Sequence, residues 1–133
     1  MEHPLFGALH YLKHDGLENA DFSLWGFDGV QLLIDGGPEG PSPVQEEAFT
    51  RFEAARESLL PRCLAAVDEV RASFEVPKAE FRVSGLTIPS LVEDGEPHDR
   101  LWTLWFDLEG DEHFMYGVQS DDDWTTVVAF ADD

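Results

Sequence analysis

The stretch Ser42 to Ile88 reads SPVQEEAFTRFEAARESLLPRCLAAVDEVRASFEVPKAEFRVSGLTI, and the spacing of its apolar residues changes partway along. Val44, Ala48, Phe49, Phe52, Ala55, Leu59, Cys63, Leu64, Val67, Val70 and Phe74 recur at helical spacing, which gathers them on one face. Ser42 can cap that helix, Pro43 suits its first position and Gln45 completes a capping box. Glu46 and Glu47 favour the positive end of the helix dipole. Pro61 removes a backbone hydrogen bond inside the stripe, which predicts a kink. The stripe keeps its phase across Pro61, so the expectation is one long bent helix or two nearly collinear ones. Beyond Pro77 the apolar period falls to two, the repeat of a half-buried strand.

Working outward, Phe81 to Ile88, Leu101 to Leu108, Phe114 to Gln119 and Trp124 to Phe130 are rich in aromatic and β-branched residues and read as strands. The connector Glu93 to Asp99 holds Gly95 and Pro97, and the connectors Glu109 to His113 and Ser120 to Asp123 are short enough for antiparallel hairpins. Upstream, Gly36 to Pro43 is a Gly- and Pro-rich loop. Before it, Phe22 to Phe27 and Val30 to Ile34 flank Asp28-Gly29, a dipeptide suited to a two-residue type I′ turn. Leu5 to Leu12 forms a further strand, which the polar stretch Lys13 to Asn19 ends. The fold expected is α+β: an antiparallel sheet of about six to seven strands, order β-β-β-α-β-β-β-β, with the helical layer on one face. No linker or repeat divides the chain, so residues 1–133 read as a single domain.

With 43% apolar and 12% aromatic residues the chain can build a core, and a disordered acidic tail is excluded. Cys63 has no second cysteine to pair with, and Met1, Glu2, His3 and Pro4 lack the basic start of a secretion signal. A cytoplasmic location follows as the expectation. No apolar run approaches the ~18 residues of a membrane span.

Eight Lys and Arg face 28 Asp and Glu, a net charge of −20. Such a field repels nucleic acid and anionic lipid and speeds encounter with a basic protein. Solubility or a high-salt habitat would select the same charge.

Catalytic signatures are missing. His3, His10, His14, His98 and His113 form no HExxH, and no second Cys is present to build a Cys/His zinc site. Counted from Asp107, a calcium loop would need Gly at the position of Glu112 and Glu at that of Val118. Cys63 lies on the apolar helical stripe, where a thiol is inert. Ser84-Gly85 and Ser120-Asp121 sit in no nucleophile elbow. Gly36-Gly37-Pro38-Glu39-Gly40 lacks the lysine of a phosphate loop. The reading is therefore of no catalytic residues, no cofactor and no metal.

The aromatic residues point to binding. Trp102, Leu104, Phe106 and Leu108 alternate with Leu101, Thr103, Trp105 and Asp107, so this strand carries large side chains on both faces. Only one face can pack on the helix; the other is covered by something else or serves as a surface. Trp25, Tyr116 and Trp124 can join such a surface, with Glu109, Asp111, Glu112, Asp121, Asp122 and Asp123 as its acidic rim. Trp and Tyr anchors within an acidic rim suit a partner carrying Lys and Arg. Core packing of the same aromatics is the competing reading, and the one that the usual burial of aromatic side chains favours.

The segment Trp105-Phe106-Asp107-Leu108-Glu109-Gly110-Asp111-Glu112-His113-Phe114-Met115-Tyr116-Gly117-Val118 resembles the C-terminal strand pair of small acidic bacterial domains, among them immunity proteins of polymorphic toxin systems. The resemblance spans about the last third of the chain and the strand-helix-strand order, and it carries no catalytic set. It implies a cytoplasmic, non-enzymatic protein that binds and neutralises a basic toxin domain. Two alternatives stand beside it: a ligand-binding or enzymatic pocket between helix and sheet with His113 or His10 as polar handle, and a DNA mimic.

Overall fold

The start of the helical layer is fixed by local chemistry that also ties it to the sheet. Ser42 Oγ accepts from Gln45 N at 3.2 Å, and the Gln45 side-chain oxygen accepts from Ser42 N at 2.9 Å, closing the capping box. The remaining amide of Gln45, only 2% exposed, donates to Asp35 O at 2.7 Å and Pro89 O at 3.0 Å. One side chain thus pins the helix start to the segments that follow two neighbouring strands.

The computed structural model describes residues 1–91, 101–121 and 124–133. Five strands come first: β1 (Glu2–His3), β2 (Gly7–Ala8), β3 (His10–Leu12), β4 (Gly16–Leu24) and β5 (Phe27–Ile34). Helices α1 (Pro43–Ala54) and α2 (Arg56–Ser73) follow, then β6 (Phe81–Ile88), β7 (Trp102–Leu108), β8 (Met115–Ser120) and β9 (Val127–Asp132). Among the described residues, strands β3 to β9 form a seven-stranded sheet in simple chain order, while β1 and β2 make a separate two-stranded sheet. The α+β class and the helical layer agree with expectation. No helix among the described residues is long and apolar enough to cross a membrane. The predicted connector Glu93 to Asp99 lies outside the described residues, as do Asp122 and Asp123.

The order is β-β-β-β-β-α-α-β-β-β-β, not the expected β-β-β-α-β-β-β-β, and four local differences have physical causes. First, the sheet is not wholly antiparallel: β5 and β6 are parallel, from Gln31 opposite Gly85 to Ile34 opposite Ile88. The helices carry the chain back along the sheet, so it enters β6 from the same end as β5. Second, the hairpin turn is Trp25-Gly26, at φ 55° and 86°, with Leu24 opposite Phe27. Asp28-Gly29 lies in β5, at a shift of register with Gly29 at φ 67°, as in a bulge. Trp25 tolerates its left-handed backbone because its ring stacks on Phe52 at 4.7 Å and its indole donates to Glu53 O at 3.1 Å.

Third, the helical layer breaks at Ala55, more than a turn before Pro61, which sits inside α2. An uninterrupted helix would commit the Glu53 carbonyl to an amide four residues on; here it receives Trp25. Fourth, the apolar run Leu5 to Leu12 is split between β2 and β3, and the polar stretch expected to be loop supplies the start of β4 from Gly16. Phe6 leaves the strand path for the core, packing edge-on against Phe49 at 5.0 Å.

Phe52 is the hub where α1 meets the sheet. Its ring lies 4.7 Å from Trp25, 5.5 Å from Trp102 and 5.2 Å from Trp124. Leu32, Leu86, Leu104, Val118 and Ala129 form one cross-strand row beneath the helices, the first four fully buried. Leu59, Cys63 and Val67 bring α2 into the same core.

Candidate functional site

Because side chains alternate along a strand, residues between the buried ones point to the far face of the sheet. In register across β5 to β9 these are Gln31, Gly85, Trp105, Gly117 and Phe130. The neighbouring row on that face runs Glu18, Leu33, Thr87, Thr103, Gln119 and Val128. Val128 is 60% exposed and Met115 47%, and Trp105 and Phe130 are partly exposed, so solvent reaches this outer face.

The first row has a definite construction. Trp105 stands between two glycines, and Gly117 stands between Trp105 and Phe130. A Cβ on Gly117 would lie 2.4 Å from Phe130 Cζ, and one on Gly85 would lie 3.2 Å from Trp105 Cδ1. The rings therefore occupy the space the glycines leave, lying over the backbone and meeting each other edge to face at 5.3 Å and 82°. Both glycines are buried. An aromatic floor held this closely against the sheet has little side-chain freedom left to lose when a partner covers it. Carboxylates surround the floor: Glu18 opposite Leu33, Asp107 opposite Arg82 and Asp132 opposite Met115.

The residues expected at a binding surface separate into three places. Trp105 lies on the outer face. Trp102 and Tyr116 are 0% exposed and Trp124 6%, packed in the core with Phe52 or Phe81, so their rings do not present a surface. Trp25 is also buried. The helices cover the even-numbered positions of β7, which decides between the two tryptophans of that strand.

Glu109, Asp111 and Glu112 lie in the β7–β8 turn, whereas Asp121 follows the other end of β8, so they form no single patch. Glu109 and Glu112 are exposed. Asp111 is structural: its carboxylate accepts from His113 N at 2.8 Å, Phe114 N at 3.2 Å and the Tyr116 hydroxyl at 3.0 Å. Burial works against its charge, but these hydrogen bonds outweigh it and hold the carboxyl below its usual range. Burial first, and the Asp111 bond second, push the Tyr116 hydroxyl up to about 12. Asp121 accepts from Thr125 Oγ1 at 3.4 Å, and its carbonyl accepts from Trp124 N at 3.3 Å, shaping the approach to β9.

A groove of 520 Å³ lies between the segment after α2 and the β7–β8 turn, with Val76, Ala79, Leu108 and Phe114 among its walls and Lys78 and His113 beside them. His10 does not line it. Among the described residues no group of three His, Cys, Asp or Glu could hold a metal ion. Cys63 is fully buried, and burial, partly offset by Arg62, pushes its thiol up to about 11.

Gly85, Gly117, Phe130, Val128, Leu33 and Glu18 complete the outer face and were not legible as a site. Their only signal was alternation within each strand, which says nothing of which strands lie side by side. The chain matches no protein-family model, no curated protein and no solved structure.

Proposed function

We propose that this is a non-enzymatic binding protein, an immunity protein that neutralises a basic toxin domain through the outer face of its sheet. The observation that carries the reading is the aromatic floor of Trp105 and Phe130 over Gly85 and Gly117, open to solvent in a chain of net charge −20. A monomer has no structural use for large apolar groups on the uncovered face, and a partner that buries them gains the transfer free energy. The surrounding carboxylates steer a cationic partner and disfavour an anionic one. The likeness of residues 105–118 to small acidic bacterial domains, immunity proteins among them, points the same way.

The test is capture of the tagged protein's partner at near-physiological ionic strength, followed by co-expression of the two. The reading expects one stoichiometric basic chain whose toxicity to the host is abolished when this protein is present. A partner without toxicity, or toxicity that persists, refutes the immunity assignment. The 520 Å³ groove favours a second reading, a small-ligand site with His113 as polar handle. A ligand that raises the melting temperature and shifts the His113 resonances would support it.

A further inference from the structure

A depression of 390 Å³ opens on the outer face between β4, β5, β6 and β7. Its floor is Gly85 and Thr87, its apolar walls are Leu33 and Trp105, and its rim carries Asp15 and Glu18. Among the described residues no Lys, Arg or His lines it. Ser84, in the same lining, has a shielded Oγ with no hydrogen-bond partner among the described residues.

We infer that this depression is the anchor pocket for one cationic side chain, arginine above all, presented by a protein partner. The inference deepens the proposed function and rests on it for the partner, while its chemistry stands on the pocket alone. An arginine stem of three methylenes packs on apolar walls while its head reaches for charge. The guanidinium is planar and weakly hydrated, stacks on an indole face and offers several N–H donors at once. Trp105 supplies the indole, and Asp15 and Glu18 the opposite charge. A lysine would gain the charge and the stem but not the planar stacking. An acidic or purely apolar side chain would leave both carboxylates uncompensated.

Trp105 is held in place for this role. Gly85 lies directly opposite it, and any side chain there would crowd both the ring and Gln31 O, at 3.2 and 3.3 Å from the new Cβ. Glycine therefore keeps the floor low as well as seating the wall.

The test titrates N-acetyl-arginine amide into the isotopically labelled full chain and follows Gly85, Thr87 and the Trp105 indole by NMR. N-acetyl-citrulline amide serves as the uncharged control of the same shape. Saturable shifts confined to the pocket, with affinity at least about tenfold above citrulline and reduced about threefold or more in Glu18→Gln, support the pocket. Equal binding of citrulline, shifts spread over the surface, or an unchanged Glu18→Gln overturn it. The Glu18→Gln change is isosteric at a partly exposed site and leaves the fold in place. If the arginine amide binds but no basic partner is captured, the pocket stands and the immunity reading falls. A captured partner that binds Asp15→Asn/Glu18→Gln as tightly as wild type overturns the pocket and leaves that reading intact.

Discussion

Gly117→Ala isolates the packing that makes the outer face what it is. The new Cβ would lie 2.4 Å from Phe130 Cζ, 2.7 Å from Cε1 and 3.1 Å from Cε2, all far-end atoms of one side chain. The three nearest atoms include no backbone, and Gly117 has no positive φ, so alanine is conformationally permitted and the whole cost falls on the ring. Phe130 must lift from the sheet, losing its edge-to-face contact with Trp105, worth about 0.5–1.5 kcal/mol, and roughly 1 kcal/mol of its burial. Against this, alanine in a strand gains about 0.5–1 kcal/mol over glycine. The net expectation is a loss of about 0.5–2 kcal/mol, or a melting temperature lower by roughly 2–7 °C. Urea unfolding of wild type, Gly117→Ala, Phe130→Ala and the double variant reads it as a cycle. In the Phe130→Ala background the glycine change should become neutral or stabilising. A Gly117→Ala protein as stable as wild type, or a cost that persists without the ring, would refute the arrangement.

Gln45→Ala removes the capping-box partner of Ser42 and leaves Asp35 O and Pro89 O without its amide, so urea unfolding should show a loss of about 2 kcal/mol. Cys63, buried and with its thiol raised to about 11, should resist an aromatic disulfide reagent at pH 8 in the native protein and react only as the chain unfolds. Tyr116, raised in the folded state to about 12 from 10, contributes stability that is whole below pH 10 and lost as pH rises through about 12. Asp111, lowered from 3.8, contributes stability present above that pH and lost as pH falls through its folded value. Tyr116→Phe should therefore flatten the alkaline limb of a stability profile, measured by circular dichroism, relative to wild type.

What could be read in the sequence was what local chemistry determines. Ser42, Pro43 and Gln45 specify a helix start by themselves, and the structure places it there. The period of two after Pro77 gave β6 at its observed bounds and β7 and β8 to within a residue at either end. The hairpin turn was misplaced because Asp28-Gly29 and Trp25-Gly26 both contain the needed glycine. Phe52, distant in sequence, selects between them by stacking on Trp25. The parallel pairing of β5 and β6 likewise depends on where the helices return the chain. Alternation told Trp102 from Trp105, but only the packing of α1 shows which one the core takes. The candidate site was least legible, since a glycine under an aromatic ring is a cross-strand relation. Gly117 and Phe130 are 13 residues apart in sequence and become neighbours only through register.

The central claim is that the outer face of the sheet is where the partner docks, and Val128 tests it most directly. At 60% exposure on β9 it tolerates a charged side chain without disturbing the core. Tagged wild type, Val128→Lys and Glu57→Gln, the last at an exposed position of α2, would be used for capture side by side under the same conditions. The account predicts that one basic chain is retained by wild type and by Glu57→Gln and is lost with Val128→Lys, which places a like charge against it. Equal retention by all three, or retention of no basic chain by any, would contradict it.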